Sequence, residues 1–373
     1  MLSTFSSINS IIAKPNSGPA AIPITLNTTN PNGAGNLGFW QLTNQITSKG
    51  VTADDANYGS SCAVSKHGQI CAWTRATNTT NKFYSGNLND GTMYERNITS
   101  LGYNTGCQAY NCAMSRGDGG QIIIISVKNY VGSPYAISFN GGASWTKITS
   151  LTGSTNLYPD VAITDPGDFL YCVGFNNGYG NAYSTDGVNW TSITSVITFQ
   201  TYSCSLSSTS SPFFACCTSV SGNSRYTTTP FSGTTSGWTQ YYQSANPSLS
   251  QATSDSGNSM ILCSAGQVRY SNNALLGASA TISNVTSSSG GTITYVSQSG
   301  QRASISTDGT RMAFVATSAT QFDCCFSTNS GSTWTSINTQ FGTTLHFTSC
   351  NFTQDGKKLV CLANEGLYML ELP

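Results

Sequence analysis

The amino-acid sequence predicts an all-β fold built from repeated four-stranded sheets, and three observations support this. Of the 373 residues, 38% are hydrophobic and 11% aromatic, which is enough for a large core although only 8% are charged. Ser, Thr, Asn and Gly dominate the remainder and suit strands joined by tight turns, whereas long stretches typical of helices are missing. Finally, the stretch SFNGGASW at 138–145 returns as STNSGSTW at 327–334.

The repeat is longer than these eight residues. A hairpin of two short apolar strands around a Ser- or Thr-containing turn recurs about every 50 residues, which is the period of four-stranded propeller blades. The copies begin with CAVSKHG, CAMSRGD, VAITDPG, CSLSSTS, QATSDSG, ASISTDG and CNFTQDG, at positions 62, 112, 161, 204, 251, 303 and 350. The sequence therefore predicts a seven-bladed β-propeller of four-stranded antiparallel blades, in one domain spanning 37–373.

The last strand of several predicted blades opens with a large aromatic residue. Trp145, Trp190, Trp238 and Trp334 occupy this place, Tyr94 takes it in the first copy, and the fifth copy has lost it. A ring repeated at one position fills the wedge between neighbouring blades, so we interpret these tryptophans as core residues.

The two ends of the chain explain each other. After Cys350 only three strands remain, so the last blade lacks its outer strand, whereas GFWQLTNQIT at 38–47 has the pattern of an outer strand without a blade. Pairing of the two would satisfy backbone groups that both would otherwise leave exposed. We expect Trp40 and Leu42 to lie beside Leu367 and Met369 and to close the ring.

The turns that precede the tryptophans resemble the Asp-box, or BNR repeat, of sialidase-like β-propellers, which has the pattern Ser-x-Asp-x-Gly-x-x-Trp. Two copies match with Asn in place of Asp, and a third keeps the Asp but is one residue shorter. The matching positions are Ser138, Asn140, Gly142 and Trp145, then Ser327, Asn329, Gly331 and Trp334, and Ser184, Asp186 and Trp190 in the short copy. This resemblance implies a fold and not an activity.

A sialidase would need three arginines around a substrate carboxylate, a Tyr nucleophile assisted by Glu, and an Asp acid. The sequence has seven arginines, none in the Arg-Ile-Pro signature of that family, and its few glutamates, such as Glu95, fall in outer strands or turns. Asp255, Asp308 and Asp355 fall in hairpin turns, where turn geometry explains them. We therefore predict no catalytic residues, and keep a glycoside hydrolase as an alternative.

His67 and His346 are the two histidines, and both are interpreted as ordinary turn or strand residues, so no metal site and no cofactor are predicted. The 13 cysteines follow the repeat and are interpreted as small buried side chains, with hairpin disulfides or a redox role as the alternatives. An Arg-Gly-Asp triplet at Arg116, Gly117 and Asp118 falls in a predicted hairpin turn and is a candidate recognition turn.

The formal net charge is zero, which argues against binding of nucleic acid or of an anionic membrane. Residues 1–36 form a polar, proline-containing arm that we expect to dock on the ring's own surface or on other protein subunits. The start lacks the pattern of a secretory signal, and the odd cysteine count favours synthesis in a reducing cytoplasm.

These features favour a non-enzymatic propeller that is a structural or surface component of a large assembly, specifically a virion or other extracellular particle. Its loop faces would be free to bind a receptor or a glycan. A secreted carbohydrate-binding adhesin is the other alternative.

Overall fold

A computed structural model describes most of the strand-forming part of the chain. The described residues are 21–23, 38–43, 61–66, 68–73, 82–88, 91–105, 107–117, 119–128, 132–151, 160–164, 166–168, 170–173, 181–193, 201–207, 215–219, 223–228, 238–243, 248–264, 267–285, 303–317 and 322–373. His67 and Asp118 therefore lie outside the described residues.

The described strands form antiparallel sheets, which we number along the chain by their innermost strands. Sheet 1 contains β1 (Ala21–Pro23), β3 (Cys62–Val64), β4 (Gln69–Trp73), β5 (Lys82–Asn87) and β6 (Thr92–Asn97). Sheet 2 contains β7 (Gln108–Met114), β8 (Ile123–Lys128), β9 (Tyr135–Ser138) and β10 (Thr146–Lys147). Sheet 3 contains β11 (Asp160–Ile163), β12 (Leu170–Val173), β13 (Ala182–Ser184) and β14 (Thr191–Ser192).

The second half of the chain continues the pattern. Sheet 4 contains β15 (Thr201–Leu206), β16 (Ala215–Ser219), β17 (Asn223–Thr227) and β18 (Thr239–Gln243). Sheet 5 contains β19 (Ser248–Thr253), β20 (Met260–Ser264), β21 (Gln267–Ser271) and β22 (Ser283–Asn284). Sheet 6 contains β23 (Ala303–Ile305), β24 (Met312–Thr317), β25 (Phe322–Ser327) and β26 (Thr335–Ser336), and sheet 7 contains β2 (Gly38–Thr43), β27 (Phe347–Phe352), β28 (Lys358–Ala363) and β29 (Gly366–Glu371).

The innermost strands arrange the sheets in a closed ring. Each contacts the innermost strand of the next sheet, from β3 through β7, β11, β15, β19 and β23 to β27, and β27 contacts β3 again. Each sheet packs its two faces against its neighbours, so the core consists of apolar layers between sheets, and the innermost strands surround a central axis.

The predicted fold class, seven blades that all have four strands, is wrong. Six sheets have four strands, but sheet 1 has five, because Ala21–Pro23 pairs with the outer side of β6. These three residues come from the predicted arm 1–36, for which docking on the ring's own surface was one of the two expectations. The fifth strand itself was not predicted, because one short strand outside the repeat has no counterpart in the other copies.

The ring closes where β2 pairs with β29, with Trp40 opposite Met369 and Phe39 opposite Leu370. On one face Leu42, Leu367 and Met369 are buried in a cluster that also includes residues of sheet 1, and Trp40 packs against it. On the other face Phe39 stacks on Tyr368, with ring centroids 5.5 Å apart. The closure that the sequence predicts is therefore present.

The repeated tryptophans pack between sheets. Trp334 is buried and contacts Phe314 of its own sheet, with centroids 5.0 Å apart, and Tyr270 of sheet 5, at 6.3 Å. Trp145 meets Phe83 of sheet 1 edge-on at 5.0 Å. Tyr94, which was expected to fill the same place in the first copy, is instead 39% exposed on β6.

Helices are short in the described part of the chain. Two 3₁₀ helices span Ile98–Leu101 and Ala274–Ser279, and α1 spans Ile337–Phe341, capped by the Ser336 hydroxyl at its start and by Gly342 at its end. None of the helices in the described ranges has the length and apolar character needed to cross a bilayer.

Candidate functional site

The axial channel is the cavity that the described residues enclose at the centre of the ring. Each innermost strand contributes to its walls, which combine small residues, Ala63, Ala113, Ala162, Ser205, Ala252 and Ser304, with larger ones that include Met114, Arg116, Leu206, Gln251 and Asn351. The cavity has a volume of about 90 Å³, whereas binding sites for small molecules usually measure about 300–1,000 Å³. The channel has room for a few water molecules and not for a sugar ring.

An ion pair crosses one end of this channel. Arg116, which follows β7 in sheet 2, places Nη2 3.4 Å from Asp255 Oδ1 of sheet 5, and the two side chains are only 15% and 13% exposed. Its Nη1 donates to the carbonyl oxygen of Ile305 in sheet 6 at 3.0 Å. The guanidinium therefore spans the ring, because sheets 5 and 6 are not neighbours of sheet 2.

This placement bears on the predicted Arg-Gly-Asp recognition turn. Arg116 is held by Asp255 and Ile305, and Gly117 is exposed beside it. An integrin-type ligand needs a free guanidinium, and here Arg116 would first have to break these contacts. Recognition through this triplet stays a prediction, since Asp118 lies outside the described residues.

Asp255 lies in a hairpin turn as the sequence predicts, but its side chain does not stabilise that turn. In this hairpin Ser256 takes the turn position, because its Oγ lies 3.2 Å from Ser254 Oγ and accepts from the Asn258 backbone N–H. Asp308 and Asp355 do stabilise their turns, by accepting from Ser306 Oγ and Thr353 Oγ1 respectively. Because Ser256 occupies the turn position, the carboxylate of Asp255 can form the cross-channel ion pair.

A belt of hydrogen bonds joins the innermost strands around the channel. Ser61 Oγ donates to Asn111 Oδ1 at 2.7 Å, and Asn111 Nδ2 donates to Asp160 Oδ1. Asp160 Oδ2 accepts from the Cys204 backbone N–H at 2.8 Å. This chain of contacts links sheets 1, 2, 3 and 4.

The belt continues around the rest of the ring. The remaining links are Gln251 Nε2 to the Ser203 carbonyl, Ala303 N–H to Ser250 Oγ, Phe352 N–H to Ser304 Oγ, and Cys62 N–H to Ser349 Oγ. Every neighbouring pair of sheets is therefore joined by at least one such bond. Sequence reasoning missed this belt, although the position before each repeated hairpin carried a signal, as it is Ser, Asn or Asp in most copies.

Asp160 is the acidic member of the belt and is 3% exposed. Burial raises its pKa to about 7, even though the Cys204 and Val161 N–H groups and the Asn111 amide favour the charged form. A buried acid with such a pKa is often catalytic. Here the three donors come from the protein itself, and the arrangement fits a structural cross-link between sheets.

The arginines of the described chain do not gather at one site. Arg96 donates to Ser85 Oγ within sheet 1, Arg269 to Asn284 within sheet 5, and Arg311 to the Gly356 carbonyl of sheet 7. The three-arginine arrangement that a sialidase requires is therefore not formed by the described residues.

A Tyr–Glu pair does exist, on the outer part of sheet 1. Tyr84 OH donates to Glu95 Oε2 at 3.3 Å, and Lys82 Nζ lies 2.6 Å from Glu95 Oε1. Both residues stand on the two outer strands of the repeat unit, β5 and β6, and not on the innermost strand. This pair is too far from the axis to act on a substrate bound there.

The remaining titratable groups are structural in the described residues. His346 Nδ1 lies 2.6 Å from Glu365 Oε1 on the exposed surface of sheet 7. Nine cysteines are buried and form no disulfide bond, so the alternative of hairpin disulfides fails for these nine: Cys62, Cys107, Cys112, Cys204, Cys263, Cys324, Cys325, Cys350 and Cys361. No group of His, Cys, Asp and Glu within the described ranges could hold a metal ion.

The turns between the third and fourth strands share one hydrogen-bond pattern. In sheet 2, Ser138 Oγ donates to Asn140 Oδ1 and accepts from Gly142 N–H, and Trp145 Nε1 donates to the Gly142 carbonyl at 3.0 Å. Ser184, Asp186 and Trp190 repeat the pattern in sheet 3, and Ser327, Asn329, Gly331 and Trp334 repeat it in sheet 6.

Sheet 5 carries a fourth turn that the sequence reading missed. Ser271 Oγ donates to Asn273 Oδ1 at 3.0 Å, and Asn273 Oδ1 accepts from the Thr281 N–H. The 3₁₀ helix Ala274–Ser279 is inserted between these two contacts, and this insertion hides the motif because it changes the spacing.

Comparisons with known proteins agree with this architecture. No protein-family model and no curated protein matches the chain. Among solved structures, "YCF48 bound to D1 peptide" has a TM-score of 0.55 at 12% identity, and the match covers 94% of this chain and 99% of that one. The chain is a β-propeller.

A second propeller structure similar to this chain is the Niastella koreensis GH74 enzyme. Its TM-score is 0.58 at 15% identity, over 84% of this chain and 52% of that one. This chain thus spans about half the length of the GH74 enzyme. At such low identities, the two similarities show the fold alone.

Proposed function

We propose that this β-propeller is a non-enzymatic, protein-binding component of a large assembly, specifically a virion. The observation that carries the proposal is the axial channel, which leaves about 90 Å³ and is crossed at one end by Arg116 and Asp255. In a propeller the axis is where side chains of all blades could converge on a substrate. Here small residues and an internal ion pair occupy that place.

Two further observations support a protein partner. The propeller in the structure titled "YCF48 bound to D1 peptide" matches this chain over almost the full length of both. In addition, the surface of this chain has few charges, because only 8% of its residues are charged. Such a surface favours contacts based on shape and hydrogen bonding over steering by charge.

The virion assignment depends on composition. Nine of the 13 cysteines are buried and form no disulfide bond, as expected of a protein that folds in a reducing cytoplasm. A particle that is assembled there and later released would carry such a protein outside the cell without secretion. Binding of a receptor or glycan by the loop faces is part of the same proposal.

We also propose that the Ser–Asn–Gly–Trp turns are diverged Asp-box motifs. The contacts among Ser138, Asn140, Gly142 and Trp145 support this assignment, because each residue type of the motif makes a hydrogen bond there. The assignment concerns ancestry of the fold and predicts no catalytic role.

The first test is sedimentation. In an extract of the cells or particles that contain the intact chain, it is expected to sediment with particles far larger than a 373-residue monomer. It should remain with them in 1 M salt, where the Debye length falls to about 3 Å and surface ion pairs are screened. Sedimentation of all the chain as free monomer would overturn the proposal.

The second test addresses the glycoside hydrolase. The purified chain is incubated with fluorogenic sialosides and β-glucosides, and with β-glucan oligosaccharides. We expect no more turnover than a heat-unfolded sample of the same protein gives. Turnover that disappears on unfolding would show that the protein is an enzyme.

A further inference from the structure

The outer edge of sheet 1 differs from the outer edges of most other sheets. Its outer strand β6 has six residues, whereas β10, β14, β22 and β26 have two each. A long edge strand presents a row of backbone N–H and C=O groups to which another extended segment can pair. In this structure Ala21–Pro23 occupies part of that row, with Ala21 opposite Tyr94 and Pro23 opposite Thr92.

The occupying strand leaves half of the edge outside its ladder. Its three residues pair with Thr92, Met93 and Tyr94, and within the described residues the ladder stops before Glu95. Pro23 lies at one end of the ladder, where a residue without an N–H is tolerated. A ladder of three residue pairs is short, and a backbone hydrogen bond contributes only about 0.5–1.5 kcal/mol, so the ladder can be released at low cost.

The chain that carries this strand can reach beyond its own ring. Fourteen residues, 24–37, separate Pro23 from Gly38 of the closing strand. Fully extended, they span at most about 46–50 Å, since each residue contributes about 3.3–3.6 Å. A compact chain of 373 residues has a radius of gyration of about 21 Å. The segment is therefore long enough to reach a neighbouring copy packed alongside.

We propose that the outer edge of β6 is a strand-acceptor site whose occupant in an assembly is Ala21–Pro23 of a second copy of this chain. The exchanged pairing makes the same contacts as the pairing within one chain, so exchange costs little energy. The balance between pairing within one chain and pairing between two chains depends on protein concentration. A segment tethered to its own ring has an effective concentration of roughly millimolar, so exchange becomes appreciable when neighbouring copies approach that concentration. This inference rests on the proposed function, because an assembly supplies neighbouring copies at such concentrations.

Variants of the full-length chain that each carry one added cysteine test the exchange. Opposite residues of an antiparallel pair have Cα atoms about 4.5–5.5 Å apart, which is within the range for a disulfide. Nine native cysteines are buried, Ala21→Cys and Tyr94→Cys each add a thiol at the edge of sheet 1, and the unsubstituted chain shows how much dimer the native cysteines give. The two variants are mixed at increasing protein concentration, oxidised with a low-molecular-weight disulfide, and separated on a non-reducing gel.

The expected result is a disulfide-linked dimer of one Ala21→Cys and one Tyr94→Cys chain, in an amount that rises with concentration. The control mixes Ala21→Cys with Leu276→Cys, because Leu276 is 60% exposed but lies on sheet 5. We expect about tenfold less dimer in the control, since its two thiols meet only by random collision, and exchange raises their local concentration to roughly millimolar.

A chain that carries both Ala21→Cys and Tyr94→Cys separates the remaining outcomes. If it links only within itself while the mixture gives no more dimer than the control, the strand stays on its own ring and the inference is wrong. If no link forms in either experiment, the pairing itself is absent and the inference is wrong as well.

These outcomes are distinct from those of the sedimentation test. If the chain sediments with particles but gives no mixed dimer, only the inferred strand exchange is wrong. If the chain gives the mixed dimer but sediments as a free protein, the proposed function is wrong.

Discussion

At the scale of single residues, glycine in the turns is required by the neighbouring sheet as well as by the backbone. Gly142 has φ of +85°, and a Cβ at this position would lie 2.6 Å from Ser85 Oγ of sheet 1. Gly331 has the same relation to Tyr270 of sheet 5, again at 2.6 Å. The turn between the third and fourth strands therefore fixes the distance to the preceding sheet.

This relation predicts that Gly142→Ala destabilises the protein more than Gly102→Ala does. Gly102 has a similar φ of +81°, but a Cβ there would meet nothing within 4 Å. Positive φ costs an alanine about 1–2 kcal/mol, and the clash at Gly142 adds about 1–3 kcal/mol. Urea denaturation of the two variants measures the difference in free energy of unfolding, and equal losses would show that the contact with Ser85 adds no strain.

The sequence predicted single residues well where the cause was local. It assigned Asp308 and Asp355 to turns, and both accept hydrogen bonds from a residue two positions earlier. It placed Asp255 in a turn correctly but explained it by turn geometry, and it did not predict the pairing with Arg116, which is 139 residues away and belongs to a sheet across the ring. Nothing in one repeat indicates which residue of a distant repeat will face it.

At the scale of elements, the innermost strands are joined by side chains more than by their own backbones. Adjacent strands from different sheets form no ladder, so their N–H groups need other acceptors. Ser349 Oγ accepts from Cys62 N–H, Ser304 Oγ from Phe352 N–H, and Asp160 from Cys204 N–H. Polar side chains on the innermost strands thus take the place of the missing backbone pairing.

Asp160 makes this belt sensitive to pH. Its pKa is about 7 in the folded protein, against an ordinary value of 3.8. Because the folded-state pKa is raised, the stabilising contribution is complete below about pH 4 and is lost as pH rises through 7. With one pKa unit worth about 1.4 kcal/mol, the free energy of unfolding should fall by about 2–3 kcal/mol between pH 5 and pH 8.

The variant Asp160→Asn tests this prediction by urea denaturation at the two pH values. It should be less stable than the wild type at pH 5, since an amide cannot accept from all three donors, and the pH-dependent loss should disappear. Asp355→Asn is the control, because hydrogen bonds from Lys357 and Thr353 outweigh burial and lower the pKa of Asp355, so it stays charged at both pH values. A wild-type protein that gains stability between pH 5 and pH 8 would contradict the assignment.

The sequence predicted the hairpins because each contains its own signal, an apolar strand, a turn residue and a second apolar strand. It did not predict the pairing of Ala21–Pro23 with β6, because the partner strands are separated by a long segment outside the repeat. It also did not predict that a turn in sheet 5 survives with an insertion, where Asn273 reaches Thr281 across the 3₁₀ helix.

At the scale of the whole molecule, closure of the ring depends on one strand from the other end of the chain. The strand Gly38–Thr43 gives β29 its outer partner and buries Phe39 and Leu42 almost completely. Phe39 joins the core between sheets 6 and 7, and Leu42 joins the core between sheets 7 and 1. The sequence predicted this closure because the shortage of a strand at one end and the surplus at the other are both visible in the repeat.

Two truncations compare this closing strand with the segment before it. Removal of residues 1–36 deletes the three-residue strand on sheet 1 but keeps β2, so we expect a cooperative unfolding transition with a small loss of stability.

Removal of residues 1–43 deletes β2 as well. Loss of a buried Phe and a buried Leu costs about 5–9 kcal/mol in total, which is comparable with the whole stability of a typical domain, about 5–15 kcal/mol. The longer truncation should therefore aggregate or lose its cooperative thermal transition by calorimetry, whereas the shorter one should not. A longer truncation that remains monomeric and unfolds near the wild-type temperature would show that the ring is held closed without this strand.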